Sequence, residues 1–262
     1  MRKFHAYCIG TPRSGTRSLA DVFGKQYRTR HEAAHAQTIE ALLTYFDGKL
    51  ECCLLKRFLE QRDASLDLEL EASHFLHHVC YLLSEAFPDC RFLLPVRHPL
   101  EWIESEANVN FLTHEEPVWR RLETFRYGRY QNAFSSSDRG LSRYPGVWPV
   151  ESYFRYWSEH NRLVLDTIPG ERLIVFPTKG LQAHLKNICD FLGATFSTPT
   201  LDFSKAHSKH LSRRVFHISE LVDPIFLRDM MLSQCRETMS RLEEFGIDLE
   251  RSRRNAEGCV TA

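Results

Sequence analysis

Apolar residues along this chain fall in short blocks that switch between two periods. Phe4–Ile9 is a brief apolar run stopped by Gly10, the pattern of a strand buried on both faces. Helical spacing follows at Ser18–Phe23, where Leu19, Val22 and Phe23 share a face. Tyr27–Arg30 predicts a short second strand, and Ile39–Phe46 a helix. Leu66, Leu68 and Leu70 alternate with Asp67, Glu69 and Glu71, which predicts a strand with one wet face. His74–Phe87 reads as a helix that stops before Pro88, because proline disfavours helical geometry in its predecessor. Arg91–Val96 is the strongest strand pattern, with Pro95 tolerable near its end. Helices are expected at Leu100–Asn108, Tyr153–Ile168, Leu181–Leu192 and Leu227–Phe245, and a strand at Leu173–Phe176. Gly193 supplies a helix-ending residue for the third of these helices.

Strands alternating with helices imply parallel pairing through right-handed crossovers. The expected class is therefore α/β: a three-layer α/β/α architecture around a central parallel sheet. With no repeat and no low-complexity linker, residues 1–262 are read as a single domain, frayed over about 251–262. Phe134–Pro149, with Ser135-Ser136-Ser137, two Gly and two Pro, predicts a long surface loop able to contact a substrate.

Composition narrows the function. Lys plus Arg and Asp plus Glu number 34 each, which disfavours a general nucleic-acid or membrane-surface binder. No run of about 18 apolar residues occurs, so no membrane span is expected. The eight cysteines, Cys52 and Cys53 adjacent among them, lack CxxC or zinc-ligand spacing and read as free thiols of a reducing, cytoplasmic setting. The short apolar start runs into charged sequence, unlike a signal-peptide core.

Ligands of open parallel sheets bind at the carboxyl ends of the strands. After Ile9 comes Gly10-Thr11-Pro12-Arg13-Ser14-Gly15-Thr16-Arg17-Ser18. Backbone N–H groups of such a turn can face an anion, and the helix N-terminus adds partial positive charge. Gly15 permits close approach, Thr16 and Ser18 offer hydroxyls, and Arg13 and Arg17 offer bidentate guanidinium groups. The turn resembles a P-loop, but Thr16 and Arg17 stand where the nucleoside-triphosphatase signature needs Lys and then Ser or Thr. The strand Arg91–Val96 ends at Arg97-His98-Pro99, with Ser105 eight residues after Arg97. An arginine there favours an anion where an ATPase would place an acid.

Together the two segments resemble the sulfotransferases that use 3′-phosphoadenosine-5′-phosphosulfate (PAPS), in particular their bacterial-type members, which have a P-loop NTPase-like fold. Pro12-Arg13-Ser14-Gly15-Thr16 is similar to the family's 5′-phosphosulfate loop, and Arg97 with Ser105 to its 3′-phosphate element. Phe87-Pro88-Asp89-Cys90-Arg91-Phe92 and the stretch from Arg172 to Gly193 extend the likeness over roughly residues 4 to 195. Two departures stand out. Arg13 replaces the lysine of cytosolic members, and Phe176-Pro177-Thr178-Lys179-Gly180-Leu181 lacks the usual acid before Leu.

The resemblance implies a sulfotransferase with PAPS as co-substrate and adenosine 3′,5′-bisphosphate as product. It implies donor contacts from Arg13, Ser14, Gly15, Thr16, Arg17, Ser18, Arg97 and Ser105, and no metal. Sulfuryl transfer parallels phosphoryl transfer, so donors are needed where charge builds on the leaving oxygen, a task for Arg13, Thr16 and the loop amides. A base must take the proton of an acceptor hydroxyl or amine. Two candidates stand open. Glu32 lies in a segment similar to the His-Glu-Pro of bacterial-type members, and His74 lies where cytosolic members carry a histidine. Small-molecule, lipid and glycan acceptors, and peptide tyrosine, all stay open, as does oligomeric state. The basic segment His207–Arg214 is a candidate loop over an anion, and Trp148, Tyr153 and Trp157 are candidates for stacking on adenine or for core positions. The rival readings are a P-loop-type kinase or hydrolase and a non-catalytic nucleotide-binding interaction protein.

Overall fold

The computed structural model of the chain describes residues 1–195 and 214–250. The fringe 251–262 and most of the basic segment, 207–213, lie outside them. The described chain forms two compact units. One is Met1–Val96 with the chain from His160 to Thr195, and the other is Arg97–Glu159 with 214–250.

The first unit is built on a five-stranded sheet. In chain order its elements are β1 (Ala6–Cys8), α1 (Thr16–Phe23), β2 (Thr29–His31), α2 (His35–Phe46), α3 (Cys52–Leu66) and β3 (Leu70–Ala72). A 3-10 segment at His74–Val79 leads to α4 (Cys80–Ala86) and β4 (Arg91–Val96). All four pairings are parallel, in the order β2-β3-β1-β4 with β5 (Leu173–Pro177) outermost. This is the α/β class expected, with the P-loop-like strand order.

Alternation along β1 explains the layers. Ala6 and Cys8 point into a core with Leu19, Val22 and Phe23 of α1 and with Leu185, Ile188 and Leu192 of α8 (Leu181–Leu192). Tyr7, pointing the other way, donates its hydroxyl to Asp63 of α3 at 2.7 Å and lies against Phe92 at 5.9 Å between ring centroids. Helices on both faces leave the central strands no wet side, so they read as continuous apolar runs.

Three expectations shift. The Leu66–Leu70 alternation is not one strand: α3 runs through Leu66, Asp67 adopts φ 45°, and only Leu70–Ala72 is strand. Of its acidic positions only Asp67 is exposed. Glu69 and Glu71 are buried, the first paired with Arg28 at 3.0 Å and the second with Arg62. An acid satisfied by an arginine can occupy a central strand, and period two alone does not distinguish that case from solvent exposure. The expected His74–Phe87 helix opens as a tight 3-10 segment, where His77 Nδ1 bonds the His74 carbonyl at 2.7 Å. Helix α3 has no clear apolar period in the sequence. Its inward stripe of Leu55, Leu59 and Arg62 includes a charge, which hides the apolar period.

The second unit is helical: α5 (Pro99–Thr113), α6 (Pro117–Tyr127), the first part of α7 (Val150–Thr167), a short α9 (Ile218–Leu221) and α10 (Pro224–Glu244). Pro at the first turn of α5 and α6 fits the position where a missing N–H costs nothing. The long segment before α7 contains a 3-10 turn at Arg139–Arg143 and is pinned by buried Asp138. That carboxylate accepts from Ser135 N at 2.6 Å and Val150 N at 3.1 Å. Tyr153 and Trp157 are fully buried, so packing takes both, while Trp148 is half-buried. Among the described residues no helix is long and apolar enough to cross a membrane.

Candidate active site

β1 delivers the Gly10–Ser18 turn at the carboxyl end of the sheet. Ile9 N bonds Leu93 O at 3.0 Å, so the turn leaves the sheet next to β4. Gly10 is forced by space: a Cβ there would lie 2.6 Å from the Pro95 carbonyl oxygen and 2.5 Å from Ser14 Oγ. Ser14 donates both its amide, at 3.1 Å, and its hydroxyl, at 2.6 Å, to Thr11 O. Its part is therefore to close the turn. Arg13 at φ 65° and Gly15 at φ 88° bend the chain into α1.

The turn ends in a helix terminus suited to an anion. Helix α1 has no side-chain cap and no acid in its first turn. Its first amides keep their hydrogen-bonding capacity, and its dipole points positive charge at the turn. Thr11 Oγ1 is buried with no hydrogen-bond partner among the described residues. Such a group is costly unless something binds it. Arg13 is part-exposed and Arg17 exposed, which leaves guanidinium charge at the mouth, and Ser18 is part-exposed on the first turn. The uncapped terminus, the orphaned hydroxyl and the two arginines fit a phosphate-bearing ligand.

Two supports of the turn escaped the sequence reading. Thr178, just after β5, donates Oγ1 to Ser14 O at 2.7 Å and its amide to Val96 O at 2.7 Å. The segment that lacks the family's acid thus braces the turn instead. His160 of α7 places Nε2 2.7 Å from Ile9 O, and because a carbonyl only accepts, that nitrogen carries the proton. Neither has a local motif, and only the fold brings them to the turn.

The two candidate bases meet. Glu32 follows β2 with φ 53°, and its amide bonds Ala72 O at 3.0 Å. His74 follows β3, and its Nε2 lies 3.0 Å from Glu32 Oε1. A third imidazole joins them: His31 Nε2 is 3.6 Å from the same oxygen and 3.2 Å from Thr16 Oγ1. A contact chain therefore runs from the first residue of α1 through His31 to Glu32 and His74. Burial lowers the pKa of His31, and Arg17 and Arg13 lower it further against the opposing pull of Glu32, so its imidazole is neutral near neutral pH. Glu32 keeps 21% of its side chain exposed and His74 only 7%.

Arg97 directly follows Val96 and belongs to the second unit, as does Ser105 on α5. Arg97 Nε lies 4.0 Å from Glu101, and its carbonyl accepts from Trp157 Nε1 at 3.0 Å. His98 caps α5, its Nδ1 accepting from Leu100 N at 3.3 Å. No cluster of three His, Cys, Asp or Glu residues able to hold a metal occurs among the described residues.

The chain is similar to known proteins. A protein from Aspergillus versicolor described as Ava biosynthesis cluster protein M is 24% identical over 209 residues, spanning 74% of this chain and 77% of its own length. The crystal structure of a sulfotransferase from Alicyclobacillus acidocaldarius matches with a TM-score of 0.50 and 15% identity, over 97% of this chain and 100% of that one, which shows a shared fold. The family model described as sulfotransferase domain matches residues 7–211, a span that takes in the turn, Glu32, His74, Arg97 and Ser105. This chain belongs to the sulfotransferase family.

Proposed function

We propose that the chain acts as one PAPS-dependent sulfotransferase domain that sulfates a hydroxyl or amine of a small molecule. The observation that carries this reading is the Gly10–Ser18 turn, with the uncapped α1 terminus, the orphaned Thr11 hydroxyl and the flanking arginines at one strand end. When bound, PAPS supplies a sulfuryl group attached to a phosphate leaving group. The amides of α1, with Thr16, Ser18 and Arg17, hold the 5′-phosphate, and Arg13 faces the oxygen on which charge develops. Arg97 and Ser105 hold the 3′-phosphate. An arginine at a strand end suits that phosphate better than the acid a triphosphatase would need, which supports this reading over a kinase.

Glu32 removes the proton from the acceptor, and His74 orients it. The support is the contact itself. His74 Nε2 is turned to Glu32 Oε1, and the carboxylate is the more exposed partner. A base held by a second group resembles the orienting logic of catalytic triads. A small molecule is taken as the acceptor class in keeping with a relative described as a biosynthesis cluster protein. The proposed setting is the cytoplasm, where free thiols such as Cys8, Cys80 and Cys235 persist.

Calorimetry tests the donor. Adenosine 3′,5′-bisphosphate is expected to bind the wild type, with ATP–magnesium at least tenfold weaker, and Arg97→Ala is expected to abolish detectable binding. Preference for ATP–magnesium overturns the reading. Radiolabelled PAPS offered with a panel of phenols, alcohols and amines tests the transfer. Turnover that survives both Glu32→Gln and His74→Ala would assign the base elsewhere, and bisphosphate binding with no product on any acceptor would favour a non-catalytic binding module.

A further inference from the structure

His31 has no part in the chemistry as set out above, yet its Nε2 stands between the two sides of it. Thr16 Oγ1, 3.2 Å away, belongs to the donor turn, and Glu32 Oε1, 3.6 Å away, belongs to the acceptor side. The first distance is a long hydrogen bond, and the second exceeds one and needs a small ring tilt to close.

We infer that His31 is a positioning residue that couples occupancy of the donor turn to the orientation and basicity of Glu32. This rests on reading the turn as the donor site and Glu32 as the base. A threonine hydroxyl has one proton to donate and lone pairs to accept. When an anion sits at the α1 terminus, the Thr16 hydroxyl donates to it, and Oγ1 faces His31 as an acceptor only. That selects the tautomer with the proton on Nε2, the nitrogen that also faces the carboxylate. Without an anion, Thr16 can donate to Nε2, which selects the Nδ1-protonated tautomer and leaves Glu32 no donor from this side. His74 holds the same carboxylate oxygen at 3.0 Å in either case. One imidazole thus distinguishes a loaded turn from an empty one, and the carboxylate is held from both sides only when the donor is in place.

The surroundings of the ring favour such a device. Burial disfavours its charged form most, and Arg17 and Arg13 add to this against the opposing pull of Glu32. The ring therefore stays neutral, and only a neutral imidazole has two tautomers to choose between.

Nitrogen-15 NMR of the full chain reads the tautomer directly, with His31 assigned by its absence in His31→Gln. Saturation with adenosine 3′,5′-bisphosphate is expected to move the His31 proton to Nε2 in the wild type and to leave the tautomer unchanged in Thr16→Val. In the slow transfer of label from PAPS to water, His31→Ala is expected to lower kcat about tenfold and shift the acid limb of the pH profile. Bisphosphate affinity should stay within about twofold, and His31→Gln, whose amide nitrogen occupies the Nε2 position, should restore much of kcat. A tautomer that ignores the bound nucleotide, or a His31→Ala enzyme with an unchanged kcat and pH profile, overturns the inference. Failure of the bisphosphate to bind the wild type overturns the donor reading instead, and the coupling falls with it.

Discussion

Arg62 and Glu71 form a buried pair on which the Glu32 turn rests. The guanidinium bonds Glu71 Oε2 at 2.6 Å, Thr38 Oγ1 at 2.8 Å and the carbonyl of Ala33 at 2.5 Å, while Ser73 donates to Glu71 at 2.7 Å. Ala33 lies between Glu32 and Ala34, which adopt φ 53° and 47°. Left-handed backbone at two non-glycine residues costs energy and persists only where neighbours over-determine it. The clamp from α3 supplies that constraint.

Removal of either partner leaves a buried charge uncompensated, because only 6% of the Arg62 side chain and 4% of the Glu71 side chain are exposed. Arg62→Met and Glu71→Gln are each expected to destabilise the fold by about 3–5 kcal/mol. Urea unfolding checks this. The double variant should lose less than the sum of the two, and additive losses would contradict a coupled pair.

Gly10 and Gly170 make a matched contrast. A methyl at Gly10 meets the Pro95 carbonyl at 2.6 Å, whereas a Cβ at Gly170 has nothing within 4 Å. Gly10→Ala is expected to cost about 1–3 kcal/mol by overpacking. It should also displace the turn and lose bisphosphate affinity. Gly170→Ala should change stability by no more than about 0.5 kcal/mol. Thermal melts and calorimetry on both variants read the difference.

Arg13 combines charge with a positive φ of 65°. Arg13→Lys keeps the charge and is expected to retain part of the turnover. Arg13→Gly relieves the backbone but removes the charge, so stability should hold or rise while turnover falls by about a hundredfold or more, the scale of losing one transition-state donor. Equal turnover in the glycine variant would remove Arg13 from leaving-group stabilisation.

Glu123 in α6 gives the second unit a distinct pH dependence. Burial, and then the nearby charge of Glu106, push its carboxyl from 4.5 to about 8. The folded state therefore holds a proton that the unfolded chain has released, and stability falls as pH rises through that window. The contribution is complete below the unfolded value of 4.5 and gone above about 8. Glu123→Gln, neutral throughout, is expected to flatten this slope in denaturation curves measured across the window. An unchanged slope would show that Glu123 is ionised in the folded protein at neutral pH.

Several parts of the site were legible along the chain because they are local. The apolar run into Gly10, the turn to Ser18 and the strand ending at Arg97 each carry their chemistry within about ten consecutive residues, and backbone geometry at a strand-to-helix turn makes that chemistry readable. Helix α3 was not legible, since a buried arginine interrupts its apolar stripe. Buried Glu69 and Glu71 look wet in the sequence for the complementary reason, their partners Arg28 and Arg62 lying 41 and 9 residues away.

By itself the sequence determined the α/β class, through short-range periodicity, and the two candidate anion-binding motifs, through local turn chemistry, and the resemblance of those motifs pointed to the family. Only the tertiary structure decided that Glu32 and His74, offered as alternatives, are partners. They follow β2 and β3, which the fold sets side by side in parallel register, bringing residues 42 positions apart to 3.0 Å. The same closure brings His31 to Thr16 and braces the turn with Thr178 and His160. Contacts of that kind depend on which strands become neighbours, and strand order is set by the packing of the whole core.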